Sequence, residues 1–259
     1  MASKHPRGFG AKVDPTNSNE RNLFRAHEAV PFIQVKYSDS HWLLDHDVNT
    51  LVGPDQQLIL VDWEDEQKFI GRHPDAVVER CIRLEEHINY VFLGDRWTYE
   101  TLSPRENRTQ INRSVALQQY LGRRFEEFGA HFEFNPMLQG WKGWHLERCR
   151  PLVDEFGGGF VGWDATGYRS KYELAGDVNH AIEQLRLEGV YVSGRIGRTH
   201  LPLLPDEVVA FSGKRGILDE VQLANGEFSR ELLHRSVAER VRKFEHPQTE
   251  LRQFLTATP

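Results

Sequence analysis

The chain is poor in sulfur: its 259 residues include two cysteines and two methionines. Cys81 and Cys149 both fall in helix-like patterns. No disulfide framework supports the fold, and two buried free thiols in a reducing cytoplasm are expected, the host cytoplasm if the chain is viral. There is no Cys-rich zinc pattern and no His-Glu-x-x-His, and the 12 histidines are scattered, so no metal site is expected. No apolar run approaches the length of a membrane span, and the polar stretch 1–15 carries no signal-peptide pattern, so no membrane association is expected. No Gly-x-Gly-x-x-Gly follows the first strand-like runs, which argues against a dinucleotide site. Lysine is scarce too, at eight of the 32 basic residues, the rest being arginine. The net charge of −6 argues against indiscriminate nucleic-acid binding.

What is present is a globular composition, 39% hydrophobic and 27% charged, enough to bury a substantial core. Residues 1–20 are rich in Gly, Pro, Ser, Asn and charge and read as a flexible tail. Residues 21–259 read as one domain that ends in a helix. Strand-like runs appear at 32–37, 57–61, 88–93, 131–134, 159–163, 190–192 and 208–211. Helical periodicity covers 22–30, a stretch from Pro74, 104–128, 144–156, 172–187 and 229–244, with 42–51 either helix or loop and Gly189 ending the helix before it. Strand and helix thus alternate about seven times, and the strands are apolar without alternation. That is the pattern of a parallel sheet covered by helices. Length and count favour a (β/α)8 barrel of the TIM type, regular or with an irregular unit, over an open sheet.

The polar residues after these strands form the candidate site. Asp62, Asp95, Gln139, Asp164 and the 194–198 loop each follow a strand, and in a barrel such positions converge on one face. A single carboxylate there is commonly a helix cap. Several, joined by a glutamine, suit reactions at a sugar anomeric carbon, where one stabilises or attacks a positive centre and another moves protons. Asp62 and Asp95 would serve a glycoside hydrolase equally well.

The run Asn135-Pro136-Met137-Leu138-Gln139-Gly140-Trp141, followed by a helix with Leu146, Glu147, Arg148 and Cys149, resembles the tRNA-guanine transglycosylase superfamily. It resembles most the DpdA-like branch of phages and bacteria that inserts 7-deazaguanines into DNA. Leu58 to Asp62, the Asp95 segment, the helix before Gln139, the Gly162 strand and the Ala210-Phe211-Ser212 segment follow in the family's order, so the likeness spans roughly 55–216. Three places depart from it, one being Trp163-Asp164-Ala165-Thr166-Gly167-Tyr168, where the DNA branch has Gly-Ser and Cys-Arg-Arg. Trp63-Glu64-Asp65-Glu66 stands where Ser-Gly-Gly-Phe is typical, and the C-terminal zinc motif of the tRNA branch is absent.

The resemblance implies base exchange without metal or organic cofactor. The target guanosine is flipped into the pocket, guanine leaves, and a preQ0- or preQ1-like base takes its place. Asp62 is then the nucleophile or general base, and Asp206 and Glu207 lie near the family's late-strand nucleophile. Asp95, Gln139, Gly140, Gly162 and Asp164 hold the base, with Trp141 or Trp163 stacking on it. Arg195, Arg198, Lys214 and Arg215 hold phosphates of DNA, or of tRNA. A catalytically inactive nucleic-acid-binding protein is the further alternative.

Overall fold

The protein is described from a computed structural model that covers residues 5–64, 68–69, 71–194 and 197–245. Eight strands form one parallel sheet: β1 Gly8–Lys12, β2 Phe32–Lys36, β3 Gln57–Val61, β4 Tyr90–Phe92, β5 Glu133–Phe134, β6 Phe160–Asp164, β7 Gly189–Ser193 and β8 Val208–Gly213. The order across the sheet is β5-β4-β3-β2-β1-β8-β7-β6. Beyond β5 a parallel bridge joins Met137 to Gly162. Leu138 N–H donates to the Gly162 carbonyl at 3.0 Å and Gly162 N–H to the Pro136 carbonyl at 2.8 Å. The two edge strands are thereby linked and the sheet curls into a (β/α)8 barrel, as the alternation of elements led us to expect.

Helices fill the crossovers up to β7, α1 Ser18–Phe24, α2 His41–Asp45, α3 Pro74–Arg83, α4 Pro104–Phe128, α5 Gly143–Leu152 and α6 Lys171–Leu185, and α7 Arg215–Val221 and α8 Arg230–Glu245 follow β8. Between β7 and β8 the described residues hold only a 3-10 turn, Leu201–Leu203. Helix ends follow local chemistry. Ser103 and Glu106 make a reciprocal cap on α4, whose first residue is Pro104. No described helix is long and apolar enough to cross a membrane.

Two apolar layers result. Phe32, Ile59, Val61, Trp63, Tyr90, Phe92, Met137, Phe160, Tyr191 and Ala210 fill the barrel interior. The alternate strand residues, such as Phe9, Ala11, Leu58, Leu60, Val161 and Trp163, pack against the helices. Burial on both faces explains why β3 reads as a continuous apolar run.

Three expectations are corrected. Part of the supposed 1–20 tail is β1, paired to β2 and β8 in the middle of the sheet, and another part begins α1. Its glycines and Lys12 break the apolar pattern, so flanking strands rather than local sequence define it. Helix α6 stops at Arg186, which adopts the left-handed conformation at φ 57°, while Gly189 already belongs to β7. Helix α5 ends at Leu152 and continues only as a wide π turn over Val153–Gly157.

Candidate active site at the barrel mouth

All eight strands run the same way, so their carboxyl ends share one mouth, the end at which barrel enzymes carry out their chemistry. Asp62, Asp95, Gln139 and Asp164 all lie there, after β3, β4, the closing bridge and at the end of β6. Asp206 and Glu207 do not. They precede β8, and the Glu207 carbonyl accepts the N–H of Val190 at the start of β7. A residue before a parallel strand sits at the opposite, amino end, which removes this pair from the site.

Asp62 is 3% exposed. Its Oδ2 accepts the Gly94 N–H at 2.7 Å and its Oδ1 the Asp95 N–H at 3.1 Å, and Arg72 Nη1 stands 3.6 Å away. Burial pushes the carboxyl up to about 6, against the pull of those two N–H groups and Arg72. Strand alternation gives the reason for its placement: Asp62 shares the side of Leu58 and Leu60, and Trp63 turns into the barrel instead. Asp62 therefore organises the loop after β4, and its acidity suits proton transfer.

Asp95 meets Gln139 side chain to side chain. Gln139 Nε2 donates to Asp95 Oδ1 at 2.9 Å, and Gln139 Oε1 accepts the Arg96 N–H at 3.4 Å. Burial first, then the negative charges of Asp62 and Asp164, hold the Asp95 carboxyl well above the usual carboxylate range. Asp164 is exposed at the mouth. Its Oδ1 accepts the Thr166 N–H at 2.9 Å and hydroxyl at 2.6 Å. Surrounding protein raises it, and those two Thr166 bonds, then Lys12, oppose the rise.

Both glycines have duties other than reading a base. Gly140 has φ +77°, and a Cβ there would run into His145 Nδ1. That nitrogen accepts the N–H groups of Trp141 at 3.1 Å and Lys142 at 3.2 Å. Burial, then the Lys142 charge, brings His145 down to about 4, so it is neutral in this role. Gly162 uses both backbone groups in the closing bridge, and a Cβ would lie 2.6 Å from Phe92 and 2.9 Å from Trp63.

The expected stacking residues also sit elsewhere. Trp141 packs edge-on to His145, and Trp163 is 3% exposed in the helix-facing layer. Trp63 is the tryptophan inside the barrel, against Phe92 and Tyr191, and its buried Nε1 has no partner among the described residues. Of the basic residues, Arg195 lies outside the described residues. Arg198 is paired with Glu220 and Glu239, and Lys214 with Glu20. Arg215 is exposed on α7.

Two features escaped the sequence. Gln34, Tyr191, Ser193 and Ser212 form a buried hydrogen-bonded set across the barrel: the Tyr191 and Ser212 hydroxyls donate to Gln34 Oε1, and Ser193 Oγ lies 2.8 Å from Ser212 Oγ. Lys12 and Lys36, at the ends of β1 and β2, complete the mouth. Period-two alternation from Phe32 through Gln34 to Lys36 was the available signal. No group of His, Cys, Asp and Glu among the described residues could hold a metal ion.

No protein-family model and no curated protein matches the sequence. Solved structures do match in shape. The tryptophan synthase alpha chain from Legionella pneumophila subsp. pneumophila has a TM-score of 0.53 at 7% identity, with 94% of this chain and 93% of that one covered. Orotidine 5'-monophosphate decarboxylase from Methanocaldococcus jannaschii gives 0.53 at 9%, covering 91% and 99%. Leishmania donovani UMP synthase gives 0.54 at 11%, covering 95% and 56%. At such identities the likeness establishes the barrel fold alone.

Proposed function

We propose that the chain is an enzyme that exchanges guanine in nucleic acid for a 7-deazaguanine at the barrel mouth, with DNA as the polymer. The Asp95–Gln139 pair carries this reading. A carboxyl and an amide joined side by side offer acceptors and a donor next to one another. A guanine-like edge presents an N1–H, an exocyclic amine and a carbonyl to match. Asp62 accepts the Gly94 and Asp95 N–H groups and so positions the pair. The attacking carboxylate is Asp164, which is open to the mouth, since both Asp62 oxygens already accept backbone N–H groups and Asp206 and Glu207 face the other end. Trp63 supports the base from within the barrel. Phosphate contacts fall to Arg215 and Arg195, with Arg198 and Lys214 drawn off by glutamates. DNA is preferred to tRNA because the Gln139-Gly140-Trp141 motif resembles the DNA-inserting branch.

The test incubates purified protein with labelled 7-deazaguanine and guanine-containing DNA, with tRNA in parallel, over a range of salt because phosphate contacts weaken as salt rises. Label is expected in DNA and is expected to vanish in Asp164→Asn and Asp95→Asn. Label in tRNA alone keeps the chemistry and changes the polymer. Label in neither refutes the exchange.

A further inference from the structure

Lysine is rare in this chain, and three of its eight lysines gather at the barrel mouth. Lys12 ends β1, Lys36 ends β2 and Lys214 follows β8. Strand register fixes where the first two point. Phe9, Ala11 and Val13 lie in the helix-facing layer, and Lys12 alternates with them, so it shares the inward side with Gly10. Lys36 shares its side with Phe32 and Gln34, both inside the barrel. Asp164 shares its side with Phe160 and Gly162. Lys214 is tied to Glu20, but neither the Lys12 nor the Lys36 ammonium makes a hydrogen bond or ion pair with a described residue.

We propose that Lys12 is a nucleophilic amine that condenses with a small anionic carbonyl compound at the barrel mouth to form an imine. The site shares Asp164 with the base-exchange reading, but it holds its ligand through Lys12 and Lys36, which that reading does not use. An arginine would supply charge as well as a lysine, and this chain prefers arginine, but a guanidinium stays protonated and does not attack carbonyls. An amine becomes nucleophilic when it is desolvated or set beside another cation. Lys12 has both conditions: burial first, then the charge of Lys36, holds it below the usual lysine range, with Lys214 acting the same way and Asp164 and Glu64 opposing. Lys36 provides the attraction for a carboxylate or phosphate on the substrate.

The step balances on residues present. The Lys12 nitrogen lone pair attacks the carbonyl carbon, and the C=O π pair moves to oxygen, which takes the proton held by Asp164. The nitrogen returns one proton to Asp164, giving a neutral carbinolamine. Asp164 then protonates the hydroxyl, the C–O bond breaks, water leaves, and the nitrogen lone pair forms C=N. Amine, carbonyl compound and carboxylic acid become iminium, water and carboxylate.

The experiment treats the full-length protein with cyanoborohydride and either pyruvate or glyceraldehyde 3-phosphate, and maps adducts by peptide mass spectrometry. The expected result is one reduced adduct per chain, on Lys12, forming faster than on exposed Lys142 at neutral pH, because burial and the Lys36 charge favour the unprotonated Lys12 amine. The reactive arm names the anion. In Lys36→Gln the pH at which labelling is half-maximal is expected to rise, and the advantage over neutral glyceraldehyde to disappear. Labelling that spreads evenly over the lysines, or that misses Lys12 in both arms, overturns the proposal. Neither outcome touches 7-deazaguanine incorporation, so the two readings fail separately.

Discussion

The carboxylate of Asp62, which closes β3, accepts the backbone N–H of Asp95 at 3.1 Å, so one acidic residue fixes the position of the next. Asp62→Asn keeps one acceptor and turns an N–H donor toward the N–H of Gly94 or Asp95. A stability loss of about 1–3 kcal/mol is expected by denaturant titration. The charged form of Asp62 is disfavoured by burial. Its contribution is therefore full below the ordinary aspartate range and is lost as pH rises through about 6, and the Asn variant is expected to lose that component of the stability profile.

Ligand affinity at Asp95 is expected to strengthen as pH rises. The free carboxyl is held well above its usual range, while the two donors of a guanine edge favour the ionised form, so binding releases a proton. Calorimetry of a 7-deazaguanine in buffers of different ionisation enthalpy measures this directly. Asp95→Asn is expected to weaken binding by about 1–3 kcal/mol and to remove the pH dependence. Equal affinity for wild type and variant takes Asp95 out of the pocket.

How much of this was legible in the sequence depended on what set each feature. Strand β3 was read to the residue because it is buried on both faces. Helix α4 was too, because Ser103, Pro104 and Gly129 mark its ends. The mouth location of Asp62, Asp95, Gln139 and Asp164 followed from parallel strands ending on one face. The direction of each side chain did not, since one step of alternation decides whether Asp62 or Trp63 faces inward. Lys12 was invisible as a site residue because β1 was taken for a tail. Asp206 and Glu207 were misplaced because the resemblance located a segment and not the end of the barrel it occupies.

Acid is expected to weaken the packing of α7 on α8. Arg240, 2% exposed, forks onto Glu220 with two 2.8 Å hydrogen bonds, and that hydrogen bonding brings Glu220 down to about 2. Because the folded value lies below the unfolded one, the pair stabilises fully above the ordinary glutamate range and loses this as pH falls toward about 2. Glu220→Gln is expected to cost about 2–4 kcal/mol near neutral pH, since it leaves Arg240 buried without a countercharge. A smaller loss in the variant than in wild type on going from neutral to acidic pH is the confirming sign. Parallel curves would separate the pair from acid stability.

Gly140→Ala is expected to destabilise the chain by about 1–3 kcal/mol, from the positive φ and the collision with His145. Because Gly140 follows Gln139 directly, ligand affinity is expected to drop with it. A variant of unchanged melting temperature would show that the His145 ring yields freely.

The single bridge between Met137 and Gly162 makes the barrel a ring with a clasp. Elsewhere neighbouring strands share several registered residues, but here one pair completes the circle, and Gln139 lies two residues beyond it. A ligand gripped by Gln139 and Asp95 would thus tie the fastening residues to the next wall. Its binding energy would appear partly as slowed amide exchange at Leu138 and Gly162, the two donors of the clasp, ahead of any change in the rest of the sheet. Occupancy of the site and integrity of the ring would then be one equilibrium, legible in the exchange of those two protons.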